Sequence, residues 1–216
     1  MELFPLCLAF GPIAVYLVLL GIINLARHPL LVTATRETLA LGLALSGFII
    51  VGPMQLFLPE EAARFFHSFI WVLLVAFYLL CLTLVLLLSR PRLVVYNVTL
   101  NQLRPVLGEL AIELDPDCRW AGDHLVLPQM GVQLHLEEFP SMRNVSLIAT
   151  GPEQSLEGWK RLERTLRGRL RQVEVPRNPR GVTLLSSGAA ILGVLLYKSF
   201  SDPQAIAQGL YRMLRM

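Results

Sequence analysis

Charged side chains are scarce in this sequence. They make up 16% of the 216 residues, and 54% of the residues are hydrophobic, whereas about 25% of the residues in a soluble domain are charged. A disordered chain is excluded, because disordered segments are polar and rich in charge. The composition also argues against an ordinary soluble globular protein, and it favours an integral membrane protein.

Cysteines and catalytic motifs are scarce as well. The three cysteines lie far apart and therefore provide no disulfide framework. The sequence contains no P-loop, dinucleotide-binding glycine pattern, nucleophile elbow or His-Glu-x-x-His motif. Metal-binding atoms occur on Asp115, Asp117, Cys118 and His124, but their spacing matches no zinc motif, and Asp115-Pro-Asp117 is typical of a turn. We therefore expect no enzymatic activity, no cofactor and no metal site.

The hydrophobic residues are concentrated in long segments without Asp, Glu, Lys or Arg. A helix of about 20 apolar residues crosses the hydrocarbon core of a bilayer, and three of these segments are longer than that. A fourth segment is shorter and could cross the bilayer, enter it and return, or lie at its surface. The segments cover residues 3–26, 38–59, 65–89 and 181–197. We predict a transmembrane region of three helices in residues 1–89 and a fourth membrane segment in residues 181–216.

Most of the charge lies in one insert, residues 90–180, with 13 of the 19 Lys and Arg residues and 11 of the 16 Asp and Glu residues. A segment of this length can form a small domain of its own. Its patterns predict a strand, a helix after a Thr99–Gln102 capping box, further strands, a second helix and a short last strand. These elements are expected at residues 93–98, 100–114, 124–128, 132–136, 144–150, 153–171 and 173–175. The order predicts an α+β domain with a ferredoxin-like, split βαβ arrangement.

Basic residues near the ends of membrane helices indicate the orientation, because they favour the cytoplasmic side. They occur in the first loop and on both sides of the insert, whereas the second loop has Glu60, Glu61 and only Arg64. The residues that carry this argument are Arg27, Arg36, Arg90, Arg92, Arg177 and Arg180. We predict an external N-terminus and a cytoplasmic domain in an inner membrane. The 17 arginines against two lysines hint at a bacterial, GC-rich genome.

The second helix of the insert has a basic outer face. Such a face attracts anionic lipid headgroups or an acidic protein partner, although a solvated face with pairs such as Glu157–Arg161 would have the same pattern. Nucleic acid is not expected as a partner, because the insert has a net charge of only +2 and no base-stacking motif. The candidate binding residues are Lys160, Arg161, Arg164, Arg167 and Arg171.

Two Gly-Pro steps, Gly11-Pro12 and Gly52-Pro53, interrupt the first and second membrane segments. A proline removes one hydrogen bond and kinks a helix. Interrupted helices at a similar depth can line a binding site or a permeation path, and prolines also occur as packing kinks. The chain ends in an amphipathic segment, residues 201–216, which is typical of an interfacial or partner-binding helix.

No pattern in the sequence identifies a reaction. We expect an integral membrane scaffold or accessory subunit with a cytoplasmic interaction domain. Its expected partners are the bilayer, anionic lipid headgroups, and other membrane subunits or copies of itself. The alternative is a small oligomeric channel or uncoupled permease built around the two Gly-Pro steps. Coupled transporters usually place charged residues inside the membrane, and the apolar segments contain none.

Overall fold

The computed structural model describes residues 3–54, 69–152 and 154–214. The second loop with Glu60, Glu61 and Arg64, and the start of the third segment with His67, lie outside the described residues. The helices are α1 (Leu3–Leu25), α2 (Ala34–Ile49), α3 (Phe69–Leu88), α4 (Leu100–Leu114), α5 (Leu156–Leu170), α6 (Arg180–Ser201) and α7 (Pro203–Leu214). The strands are β1 (Leu30–Thr33), β2 (Arg92–Tyr96), β3 (Arg119–Ala121), β4 (His124–Leu127), β5 (Val132–Phe139) and β6 (Asn144–Ala149).

The chain forms two compact units. The helical unit contains residues 1–20, 38–88 and 183–216, and the sheet unit contains residues 21–37 and 89–182. The loop between the first two apolar helices therefore belongs to the sheet unit, and no pattern in the sequence predicts this.

Among the residues that the structure describes, four helices, α1, α2, α3 and α6, are long and apolar enough to cross a membrane, which is compatible with a membrane protein. The fourth segment is a continuous helix of 22 residues, Arg180–Ser201. The apolar side chains of α3 are turned outward on several sides: Phe77 is 64% exposed, Leu80 66% and Leu87 78%. A helix that is apolar all round suits a lipid environment rather than water.

Small residues bring the apolar helices close together within the helical unit. A Cβ atom placed on Gly47 of α2 would overlap the Leu8 carbonyl oxygen of α1. On α6, a Cβ at Gly188 would lie 2.8 Å from the Ala14 carbonyl oxygen of α1. Gly42 of α2 faces α3, and its carbonyl accepts a hydrogen bond of 2.7 Å from the Tyr78 hydroxyl. Such contacts are the common way in which membrane helices associate.

The sheet unit is a six-stranded antiparallel sheet in the order β1-β2-β6-β5-β4-β3, with α4 and α5 on one face. Leucines at helical spacing on both helices are fully buried against the sheet. The predicted strands of the insert up to residue 150 and both of its helices are present. The predicted capping box is also present, because Gln102 Oε1 accepts the Thr99 N–H at 3.1 Å. The buried leucines are Leu103, Leu107, Leu110, Leu162, Leu166 and Leu170.

The ferredoxin-like arrangement is not confirmed. Half of this arrangement is present. Both β2 and β5 pair antiparallel with β6, so they run parallel to each other with β6 between them. The predicted short strand at residues 173–175 is wrong, since those residues form no strand. The place beside β2 is taken by β1, with Leu31 opposite Val95. The short strand β3 was also not predicted.

Buried asparagines tie the first loop to the rest of the sheet unit. Asn97 is fully buried with a φ of 59°, and its Nδ2 donates to the Ala26 carbonyl at 2.7 Å. Asn178 Nδ2 donates to Asn24 Oδ1 at 3.0 Å, and Asn178 Oδ1 accepts the Arg180 N–H at 3.1 Å. Asn178 therefore holds the C-terminal end of α1 and caps the N-terminal end of α6 with one side chain.

We expect Asn178→Ala to destabilise the protein by about 1–3 kcal/mol, because it removes a buried hydrogen bond and a helix cap. The measurement is the free energy of unfolding in detergent. Asn101→Ala is the control, because Asn101 is exposed on α4. An equal effect of the two substitutions would show that the Asn178 contacts contribute nothing.

We expect Gly47→Ala to lower the thermal unfolding midpoint, since the added methyl group would overlap Leu8 and overpacking costs about 1–3 kcal/mol. Gly193→Ala is the matched control on α6, where an added Cβ would meet no described atom within 4 Å. An unchanged midpoint for Gly47→Ala would contradict the close packing of α1 and α2.

Candidate functional site

Helix α5 is fixed firmly enough to present a rigid surface. Its N-cap is Ser155, whose side chain accepts the Gly158 N–H at 3.2 Å. Gly158 lies so close to the Met130 carbonyl that a side chain would overlap it. Trp159 is buried, and its indole N–H donates to Gln154 Oε1 at 2.8 Å. With this side buried, the basic residues of the helix are left on the other sides.

The outer side of α5 carries three neighbouring cations. Lys160, Arg161 and Arg164 are all exposed, and within the described part of the chain their side chains form no hydrogen bond or ion pair. The Glu157–Arg161 pair considered from the sequence is therefore not formed. We call Lys160, Arg161 and Arg164 the outer basic face. Its charge is not neutralised by any described neighbour.

The two flanks of α5 differ from this outer face. On one flank, Arg169 reaches across to α4 and pairs with Glu113 at 2.5 Å. On the other, Arg167 pairs with Glu163 of its own helix at 2.6 Å. Arg169 thus links the two helices of the sheet unit, whereas Arg167 lies toward β1.

A cavity of about 350 Å³ lies between α5 and β1. Arg167 and Arg171 line it from α5, and Arg36 lines it from the first turn of α2. Its apolar lining comes from Pro29, Leu30, Leu31, Val32 and Leu170. Sequence reasoning identified Arg167 and Arg171 but missed Arg36, because only the folding of the first loop onto the sheet brings it there. We call this site the arginine pocket.

The Asp115 region serves a structural role. Asp115 is fully buried, and its two carboxylate oxygens accept the backbone N–H groups of Asp117 at 3.0 Å and Gln129 at 2.8 Å. His124 pairs across the sheet with His135, at 4.5 Å between ring centroids. Among the residues described, no three His, Cys, Asp or Glu side chains come together as a metal site.

The Gly-Pro steps differ in their local structure. Pro12 lies inside α1, which continues to Leu25. Gly52 and Pro53 lie in a π-helical turn, Ile50–Met54, that extends α2. A Cβ at Gly11 or Gly52 would meet no atom of a described residue within 4 Å, so no described neighbour requires either glycine. A role for these steps in a pathway stays a prediction.

No protein-family model matches this chain, and neither curated proteins nor solved structures match it significantly. The function is therefore argued from its own residues.

Proposed function

We propose that this protein is a non-enzymatic membrane scaffold or accessory subunit, whose sheet unit binds an acidic protein partner through the outer basic face. The observation that carries the proposal is the set of three neighbouring, exposed cations on α5 that form no ion pair with a described residue. Interfaces use such uncompensated charge to steer and orient a partner of opposite sign. The buried side of α5 holds the helix in place, so the three side chains extend from a fixed backbone.

The proposed location is the inner membrane of a bacterium, with the sheet unit in the cytoplasm. The chain enters or leaves the four apolar helices beside Arg27, Arg36, Arg90 and Arg180, at the ends joined to the sheet unit. Basic residues at these ends favour the cytoplasmic side. If α6 also crosses, α7 lies on the external side. Asp202 caps the start of α7, because its Oδ1 accepts the Ala205 N–H in the first turn of that helix at 3.1 Å.

We expect Arg164→Glu to release an acidic subunit from the complex, because a like charge replaces the complementary one in the middle of the outer basic face. The measurement is native mass spectrometry of the full-length protein, extracted gently from its own membrane. Loss of a heterologous subunit in the variant, with an unchanged unfolding midpoint, is the expected result.

Arg119→Glu on β3 is the matched control. Arg119 is also exposed and forms no ion pair with a described residue, and its reversal changes the net charge equally. If both variants lose the subunit, the loss is caused by the change in net charge and not by the outer basic face. A complex made only of copies of this chain, unchanged by Arg164→Glu, would contradict the proposal and favour the oligomeric channel.

A further inference from the structure

We propose that the arginine pocket binds the phosphate group of an anionic phospholipid. This inference does not depend on the proposed function, because it concerns a different side of α5 and a different class of ligand. The juxtaposition of Arg36 with Arg167 and Arg171 across the edge of the sheet is its starting point.

The pocket concentrates positive charge without the anions that usually balance it. The side chains of Arg36 and Arg171 form no hydrogen bond or ion pair with any residue that the structure describes. Arg167 Nη2 donates to Glu163 Oε1 at 2.6 Å. The other N–H groups of this guanidinium form no hydrogen bond with a described residue. No carboxylate lines the pocket. Three arginines that line one cavity suit a phosphate, whose oxygens accept paired hydrogen bonds from the planar guanidinium.

The rest of the lining is apolar, and this favours a lipid over a free phosphate ion. Leu30 is 41% exposed at the pocket, although it lies on a strand and could have faced the core. An inorganic phosphate would gain nothing from Leu30, Val32 and Leu170. A phospholipid can bring its glycerol and the first part of its acyl chains against them. A volume of about 350 Å³ is within the usual range for small-molecule sites, about 300–1,000 Å³.

The position of Arg36 in the chain agrees with a ligand at a membrane surface. Arg36 is in the first turn of α2, two residues before the apolar stretch that begins at Thr38. When α2 crosses a bilayer, its first turn lies at the depth of the lipid headgroups. The edge strand β1, which forms one wall of the pocket, ends directly before this turn.

The test measures binding of single lipids to the full-length protein in a neutral detergent, by native mass spectrometry. The probes are phosphatidylglycerol, phosphatidylcholine with the same chains, and inorganic phosphate. We expect one phosphatidylglycerol to bind, with weaker binding of the other two probes. The double variant Arg36→Gln/Arg171→Gln should weaken phosphatidylglycerol binding by about tenfold or more, which corresponds to about 1.4 kcal/mol. Arg167 is left intact, because its removal would also strand Glu163.

The control is Arg119→Gln/Arg177→Gln, which removes the same charge from two exposed arginines outside the pocket and should bind as the wild type does. A second variant, Leu30→Glu, keeps all three arginines and places a carboxylate at the pocket, so it should also weaken binding. It decides the result if the double arginine variant does not fold.

Three results would overturn the assignment. Equal binding of phosphatidylcholine would show an apolar groove without headgroup recognition. Equal binding of inorganic phosphate, lost in the same variants, would make the ligand a soluble anion. Loss of a protein subunit with unchanged lipid binding would make the pocket part of a protein interface. Arg164→Glu leaves the pocket intact, so a failure of the proposed function remains distinguishable from a failure of this inference.

Discussion

The hydrogen bonds of three buried asparagines, Asn24, Asn97 and Asn178, join the first loop to the rest of the sheet unit. Backbone groups in a loop must find partners when the loop is covered by other residues. Asn97 provides one for the Ala26 carbonyl, and Asn178 binds Asn24 while it caps α6. With these contacts in place, residues 30–33 can pair with β2 as an edge strand. The sheet order, the arginine pocket and the start of two apolar helices all follow from this arrangement.

Helix α5 shows how one short element can serve several purposes. Its apolar stripe completes the core of the sheet unit, and Arg169 ties it to α4 through Glu113. Its outer side presents cations that no described residue neutralises, while Arg167 and Arg171 turn toward β1 and Arg36. Apart from Arg36, these arginines lie on or directly after one basic helix in the sequence. The fold separates them into a structural contact, a solvent-facing surface and a cavity lining.

The elements with strong local patterns could be predicted from the sequence. The leucine spacing of α4 and α5 and the alternation at Val132–Leu136 each identify the buried face directly. Strand β1 could not be predicted, because Leu30–Thr33 is a short run between two apolar helices and its pairing partner lies far along the chain. Residues 173–175 alternate as a strand does, but β1 already occupies the edge beside β2. Arg36 was missed for the same reason, since its role depends on where β1 pairs.

The position of β1 in the sequence determines when the sheet can be completed during synthesis. The ribosome makes β1 before residues 34–91, which include two apolar helices, and its partner β2 emerges only after them. The sheet therefore cannot close at that edge until α2 and α3 have been made, and non-local pairing of this kind is slow. Until then, β1 has no strand to pair with. Completion of the sheet at this edge therefore requires that α2 and α3 have already been synthesised.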